Sequence, residues 1–452
     1  MPQFGFSYHS VEELAQAQKG LGVAFPLQGD PAVLRAPVAQ GLIRLPNALA
    51  IHPMEGCDAD DASAMPGAPG PLTFRRYRRF AEGGAGLIWA EAISVTPEAR
   101  ANPRQLMITP ENVGEFARLV AETRRAAQES CGHNPFIVAQ LTHSGRWSRP
   151  IDPNAPIRAD HFAALDAHQK LADDAPVITD DELAALPAAF ARAAVLCRQA
   201  GFDSVDLKAC HLYLYSELLG AINRGGRYGG SYENRVRLML ETAEAVGAAV
   251  GGDYPLAARI NVHDNTAGRW GSAGFTGDAE PDMAALTTVD LAEPKQLAAA
   301  MAARGVSLFN ITMGTPYFNP HINRPYATGG YEPPENPLVG VARLLGGVRE
   351  MQAALPEAIC VATGLSYLRH FAGGTAAGLV QQGWARVVGM GRMSFAYPDF
   401  PKDAMADGMK KEKSCLACGK CTTLMRAHRI AGCPVRDQEI YLPELRAAMG
   451  KN

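Results

Sequence analysis

The chain has 452 residues, 47% hydrophobic and 20% charged, with a formal net charge of −3. This composition suits a globular protein with a large core and offers no basic surplus for a nucleic-acid partner. Residues Met1 to Ser10 lack a basic segment followed by an apolar run, and no stretch of about 18 apolar residues occurs, so neither a secretory signal nor a membrane span is expected and the cytoplasm is the predicted location.

Residues 1–40 read as an N-terminal extension, opened by Ser10-Val11-Glu12-Glu13, which caps a short helix. A rhythm then starts. Short apolar runs at Ala48–His52, Gly86–Ala90, Phe136–Leu141, Ser204–Lys208, Leu256–Asn261, Ser307–Thr312, Ile359–Ala362 and Val387–Met390 predict strands. Amphipathic stretches between several of them, Val113–Ser130, Leu183–Ala200, Asn234–Val250 and Pro294–Arg304, predict helices. Alternating strands and helices make parallel βαβ units, and eight of them match an α/β fold of the closed (β/α)₈ TIM-barrel type over residues 41–400. An open doubly wound sheet is the alternative.

A barrel of this kind works at the C-terminal ends of its strands. Polar or unusual residues stand there: Pro53-Met54-Glu55, Glu91-Ala92, Gln140 with His143, Lys208 with His211, Arg259, Thr312 to Thr315, Gly364, and Gly391-Arg392. The segments 144–180, 263–293 and 313–340 are too long for plain connections and predict lids or binding loops. Of the nine cysteines, Cys57, Cys131, Cys197, Cys210 and Cys360 are scattered and read as buried small hydrophobes. Cys415, Cys418, Cys421 and Cys433 cluster within residues 401–452, which in a cytosolic chain favours metal over disulfides.

Several stretches together resemble the Old Yellow Enzyme family. Gly201-Phe202-Asp203-Ser204-Val205-Asp206-Leu207-Lys208-Ala209-Cys210-His211-Leu212-Tyr213-Leu214 is similar to its fourth-strand motif, and Tyr228-Gly229-Gly230-Ser231-Tyr232-Glu233-Asn234-Arg235 to the stretch that follows. Gln140-Leu141, His143 and Gly145-Arg146 resemble its third-strand motif, and Gly389-Met390-Gly391-Arg392 its last-strand phosphate motif. The resemblance spans roughly residues 40–400 in the right order. The cysteine segment narrows it to the subgroup of 2,4-dienoyl-CoA reductases, 2-enoate reductases and trimethylamine dehydrogenase.

The resemblance implies FMN on the barrel. Gln140 would pair with the pyrimidine edge, and Arg259 would place positive charge near N1 and O2; a structural ion pair is the other reading of Arg259. The backbone at Pro53 and Met54 would lie along the ring, and Ala92 would leave room for it. The phosphate would sit between Gly364 and Gly391-Arg392. Glu55 stands beside the flavin where the family often has Thr or Cys; it would either line the flavin site or point away, with Cys57 approaching instead. Lys208 and His211 replace the usual His-x-x-His or His-x-x-Asn pair that holds the activating carbonyl, as an oxyanion hole would. Here Lys departs from the pattern and suits a carboxylate or charged enolate, unless it is simply paired with a barrel carboxylate. Tyr213 matches the proton donor to the α-carbon and is preferred to Tyr215. Tyr317 and His321 are further candidate substrate contacts.

In Cys415-x2-Cys418-x2-Cys421-x11-Cys433-Pro434, three closely spaced thiolates and one remote one suit a [4Fe–4S] cluster, with structural zinc as the rival. Lys410, Lys411, Lys413, Lys420, Arg426 and Arg429 would offset cluster charge, dock an acidic donor, or form a solvated face. The subgroup carries FAD- and NAD-binding domains after the cluster, and no Gly-x-Gly-x-x-Gly fingerprint follows here. Electrons are therefore expected from NAD(P)H directly or from a separate flavoprotein or ferredoxin. The implied function is an ene-reductase acting on an activated C=C bond of a small molecule. The alternatives are an amine dehydrogenase or demethylase, or an electron-transfer subunit without its own substrate. Homo-oligomerisation is compatible with the sequence.

Overall fold

The computed structural model describes residues 4–60, 65–148, 156–172, 174–264, 270–273, 288–327 and 329–450. Eight parallel strands close into one barrel in chain order: β1 Leu49–Ile51, β2 Leu87–Ser94, β3 Phe136–Thr142, β4 Ser204–Leu207, β5 Leu256–Asn261, β6 Val306–Thr312, β7 Ile359–Ala362 and β8 Val387–Met390. Closure is made where β8 pairs with β1, Gly389 opposite Ala50. The open-sheet alternative is thereby excluded. Every residue of β2, β3 and β5 is buried. A strand with side chains inside and helices outside meets no water on either face, which is why these segments read as continuous apolar runs.

The helices between strands are α1 Pro71–Glu82, α2 Val113–Cys131, α3 Asp180–Gln199, α4 Tyr232–Val250, α5 Ala292–Ala302, α6 Pro337–Ala354 and α7 Ala372–Gln381. Local chemistry starts several of them. Thr179 and Glu182 form a capping box at α3, the Ser231 hydroxyl accepts from the Asn234 amide at α4, and Asn336 caps α6 with Pro337 at its first position.

The expected helix at Ser10 is present as Val11–Leu21. The extension ends in an antiparallel hairpin, Val38–Gln40 with Ile43–Leu45. Ile43 and Leu45 pack against Leu87, Phe136, Ile359 and Val387, the first residues of their strands. The hairpin therefore plugs the N-terminal mouth and leaves the C-terminal mouth for polar groups.

Most of the long segment 263–293 lies outside the described residues, as do 149–155. What is described of 144–180 is tied down by charge. The Arg146 guanidinium is fully buried; Nε donates to Glu217 Oε1 at 2.8 Å, Nη2 to the Asp160 carbonyl at 2.9 Å, and Nη1 pairs with Asp166. Asp166 is shared with Arg158 at 2.9 Å. Removing one member of such a pair strands a buried charge. Arg146→Ala is expected to destabilise the fold by about 3–5 kcal/mol, read as a lower urea midpoint; an unchanged midpoint would refute this role.

Candidate functional site

One cavity of about 960 Å³ opens over the C-terminal strand ends. Pro53, Met54, Glu55, Gln140, Lys208, His211, Tyr213, Arg259, Gly364, Gly391 and Arg392 all line it, so eleven of the twelve strand-end residues expected around flavin and substrate, the loop residues Tyr317 and His321 apart, come together. Ala92 is the exception. It is buried in β2, opposite Gln140, and does not line the cavity.

Asp206 organises the floor. It is fully buried in β4; one oxygen accepts from Trp89 Nε1 at 2.8 Å and Gln140 Nε2 at 2.7 Å, and the other accepts from the Arg259 amide at 2.5 Å. Burial pushes its carboxyl up to about 6. The bond commits one amide N–H of Gln140 and fixes the orientation of the amide at the cavity. Beneath lies His52, whose Nδ1 accepts from Asn310 Nδ2 at 2.9 Å while Nε2 donates to the Ala362 carbonyl at 3.1 Å. Gly389 makes room for that ring: a Cβ there would stand 2.4 Å from it.

At one end of the cavity the fourth strand runs into a strained turn. His211 and Leu212 both adopt positive φ, 65° and 56°. The turn is pinned by Thr315 Oγ1, which donates to the His211 carbonyl at 2.9 Å. His211 Nε2 is buried without a partner in the protein, and burial, then Arg259 and Lys208, hold the imidazole well below its usual range. The ring is therefore neutral. Tyr213 OH lies 3.0 Å from Tyr317 OH, and Tyr317 stacks on Trp147 at 4.3 Å. Tyr215 instead turns away to Thr242, at 2.8 Å. His321 bonds to Tyr331 and does not line the cavity, so of the two loop residues proposed as contacts only Tyr317 reaches it.

Glu55 does not point away. Its Oε1 accepts from Tyr213 OH at 3.2 Å and lies 3.7 Å from Lys208 Nζ, which also stands 3.6 Å above the Tyr213 ring. Burial lowers the Lys208 pKa, and Glu55 opposes that shift. Cys57 is buried, lines an adjoining outer cavity, and is kept protonated by burial.

The other end is cationic. Arg392 is joined by Arg324 and Arg426, which sequence reading did not place there. Burial, then Arg392, lowers Arg324 to about 10. Arg324 Nε and Arg392 Nη1 are buried without protein partners, and no carboxylate pairs with either arginine among the described residues. Gly364 (φ 99°) and Ser366 face the same space. Arg426, Thr422 and Met425 come from the cysteine segment, whose helix Lys420–Arg426 leans over the barrel; Arg426 Nη2 donates to the Pro316 carbonyl at 2.6 Å.

All four clustered cysteines line one smaller cavity of about 370 Å³, beside Arg392 and Arg436. Among the described residues no group of three or more His, Cys, Asp or Glu is gathered as a metal-ion site. The scattered cysteines behave as expected: Cys57, Cys197, Cys210 and Cys360 are buried and Cys131 partly so.

A closed (β/α)₈ barrel with a cavity over its strand C-termini is the architecture of a barrel enzyme. The profile of the NADH:flavin oxidoreductase / NADH oxidase family matches residues 34–306, and the chain belongs to that family. A metal reductase of Desulforamulus reducens is 27% identical over 348 residues, covering 76% of this chain and 45% of that protein. An NADPH dehydrogenase of Bacillus pumilus is 32% identical over 213 residues, 46% of this chain and 58% of the relative. The chain spans about half the length of the curated relatives it matches. Its fold is shared with 2-naphthoyl-CoA reductase (TM-score 0.70, 19% identity, 92% of this chain and 58% of that one). It is also shared with morphinone reductase (TM-score 0.59, 21% identity, 84% and 92%). Among the described residues no helix is long and apolar enough to cross a membrane.

The buried histidines give a pH prediction. Burial, then Arg259, holds His52 at about 3, and burial holds His143 at about 4, both below the ordinary 6.5. Between those values the unfolded chain binds protons that the folded chain refuses. Their contribution to stability is therefore full above about pH 6.5 and is lost as pH falls toward the folded values. Imidazole ¹⁵N shifts should show both rings neutral at pH 5; a charged His52 there would overturn the assignment.

Proposed function

We propose that this chain is an FMN-dependent ene-reductase that reduces an activated C=C bond, with Cys415, Cys418, Cys421 and Cys433 holding a [4Fe–4S] cluster. The observation that carries the reading is the single cavity that joins three elements: the Gln140–Asp206 floor, a cationic glycine-bordered end, and the Lys208–His211–Tyr213 turn. Gln140 and Arg259 would hold the flavin ring, Pro53 and Met54 would lie along it, and Gly364, Gly391 and Arg392, with Arg324, would hold its phosphate. Bound FMN would supply hydride to the alkene β-carbon, and a cluster would supply one-electron exchange. NAD(P)H, or a separate flavoprotein or ferredoxin, would be the source of electrons.

The protein's own groups then have distinct tasks. Lys208 and a neutral His211 donate hydrogen bonds to the carbonyl oxygen, where negative charge develops. Tyr213 releases its phenolic proton to the α-carbon. Burial, then Glu55 and Tyr317, push the Tyr213 pKa well up, so the phenol stays protonated until the strongly basic α-carbon takes its proton. Tyr317, backed by Trp147 stacked on it at 4.3 Å, gives a flat aromatic wall against which a planar substrate can lie. An amine dehydrogenase fits less well, because the Lys208 ammonium already occupies the aromatic face that a cationic amine would use.

An anaerobic absorption spectrum with flavin and iron assays tests the reading. Flavin bands over an iron–sulfur shoulder are expected before dithionite, bleaching of both after it, and return of the bands on reoxidation by enones; absence of flavin would refute the reading, and flavin without iron would refute the cluster. Tyr213→Phe should slow reoxidation by an alkene about 10²- to 10⁴-fold in stopped flow while leaving flavin reduction unchanged. Reoxidation at the unaltered rate would exclude Tyr213 as the proton donor.

A further inference from the structure

Resting on that reading of the cavity, we infer that Glu55 sets its ligand preference: by neutralising Lys208 it selects ligands whose activating group is an uncharged carbonyl and disfavours free carboxylates. A buried ammonium at a strand end would by itself be a carboxylate receptor. Here its charge is already matched. Lys208 is 3% exposed and Glu55 11%, and Glu55 Oε1 lies 3.7 Å from Nζ while accepting the Tyr213 hydroxyl at 3.2 Å. The Tyr213 ring covers the ammonium at 3.6 Å. The two positions at which this chain departs from the resembling family, Lys208 and Glu55, are thus each other's partners.

An ammonium has three N–H groups. A carbonyl oxygen can take one without disturbing the pair. A carboxylate placed there would stand beside Glu55, in a space where like charges are poorly screened. The remaining cations around the cavity are otherwise placed. Burial lowers the pKa of both Lys208 and His211, and the Arg259 charge lies near enough to lower both further; in the proposed reading its guanidinium is engaged by the flavin ring. Arg324 and Arg392 lie at the glycine-bordered end, and Arg426 is exposed on the rim, bonded to the Pro316 carbonyl.

The test compares two ligands of one shape, 4-phenylbut-3-en-2-one and cinnamate, by isothermal titration calorimetry on the oxidised protein as purified. The unaltered protein should bind the enone at least about tenfold more tightly, and Glu55→Gln should reverse the order by raising cinnamate affinity about tenfold or more. Glu55→Thr should give the same reversal and serves if the Gln variant fails to fold. Equal binding by the unaltered protein, an unreversed order in a folded variant, or no binding of either ligand would overturn the inference. Turnover of the same enone by the reduced protein is scored separately. Reversal without alkene reduction refutes the ene-reductase reading and leaves the ligand preference standing; turnover with an unreversed order refutes the ligand preference alone.

Discussion

Arg76, on α1, is 4% exposed and carries its charge between two buried carboxylates, Asp58 and Glu91. Burial pushes the Glu91 carboxyl up to about 7, and Arg76 opposes the shift. The second Glu91 oxygen accepts the Gly56 amide at 2.8 Å, and the Gly56 carbonyl accepts the Ala431 amide at 2.7 Å. One guanidinium therefore links the barrel wall, the segment bearing Met54 and Glu55, and the cysteine segment. Gly56 has no substitute in this chain of contacts, because a Cβ there would stand 2.2 Å from the Arg76 guanidinium. A second clamp, Arg75 and Arg79 on Asp437, holds the C-terminal segment at the same helix. Breaking the Arg76 network would disturb pocket and cysteine segment together, since removing one partner leaves a charge buried without compensation.

The distribution of charge follows from the same cost. Proteins rarely bury guanidinium nitrogens without acceptors. Here Arg259 Nε, Arg324 Nε and Arg392 Nη1 are all buried and without protein partners, and all three residues line one cavity. No carboxylate pairs with these three arginines among the described residues, whereas Arg158 has one and Arg146 and Arg76 have two each. The contrast separates arginines paired with a carboxylate of the protein from those left available to an anionic ligand. An anionic phosphate at one end and a reduced flavin over the floor would supply it in the proposed reading.

The strands were legible because burial on both faces leaves an uninterrupted apolar run, and strand ends were legible because polar residues there have no packing role. Asp206 was harder. It stood in plain view in the fourth-strand motif, and its value emerges only when β2, β3 and β5 bring Trp89, Gln140 and the Arg259 amide to its two oxygens. Arg324, Thr422 and Arg426 were not legible at all: they arrive through a loop and a helix whose docking is tertiary. Arg426 and Arg429 read as part of a basic face around the cysteines, yet one turns to the Pro316 carbonyl and the other pairs with Glu444 at 2.6 Å. The direction of Glu55 depended on Lys208, far away in sequence, and local pattern carries no trace of such a partner.

The turn after β4 shows how the fold sustains a costly geometry. Two successive non-glycine residues at positive φ cost about 1–3 kcal/mol each. The surroundings over-determine them: Tyr213 N bonds to the Cys210 carbonyl, Leu214 N to the His143 carbonyl and Glu217 N to the Tyr213 carbonyl. Gly145 lies so close that a Cβ would meet the Leu214 backbone at 2.6 Å, so the turn cannot relax toward β3 and its following loop. A relaxed turn would gain local stability and lose register. Lys208, His211 and Tyr213 would no longer face one point from one short stretch of chain. The strain is thus the local cost of aligning three donors over a common space, and it is tolerated because the barrel around them is rigid.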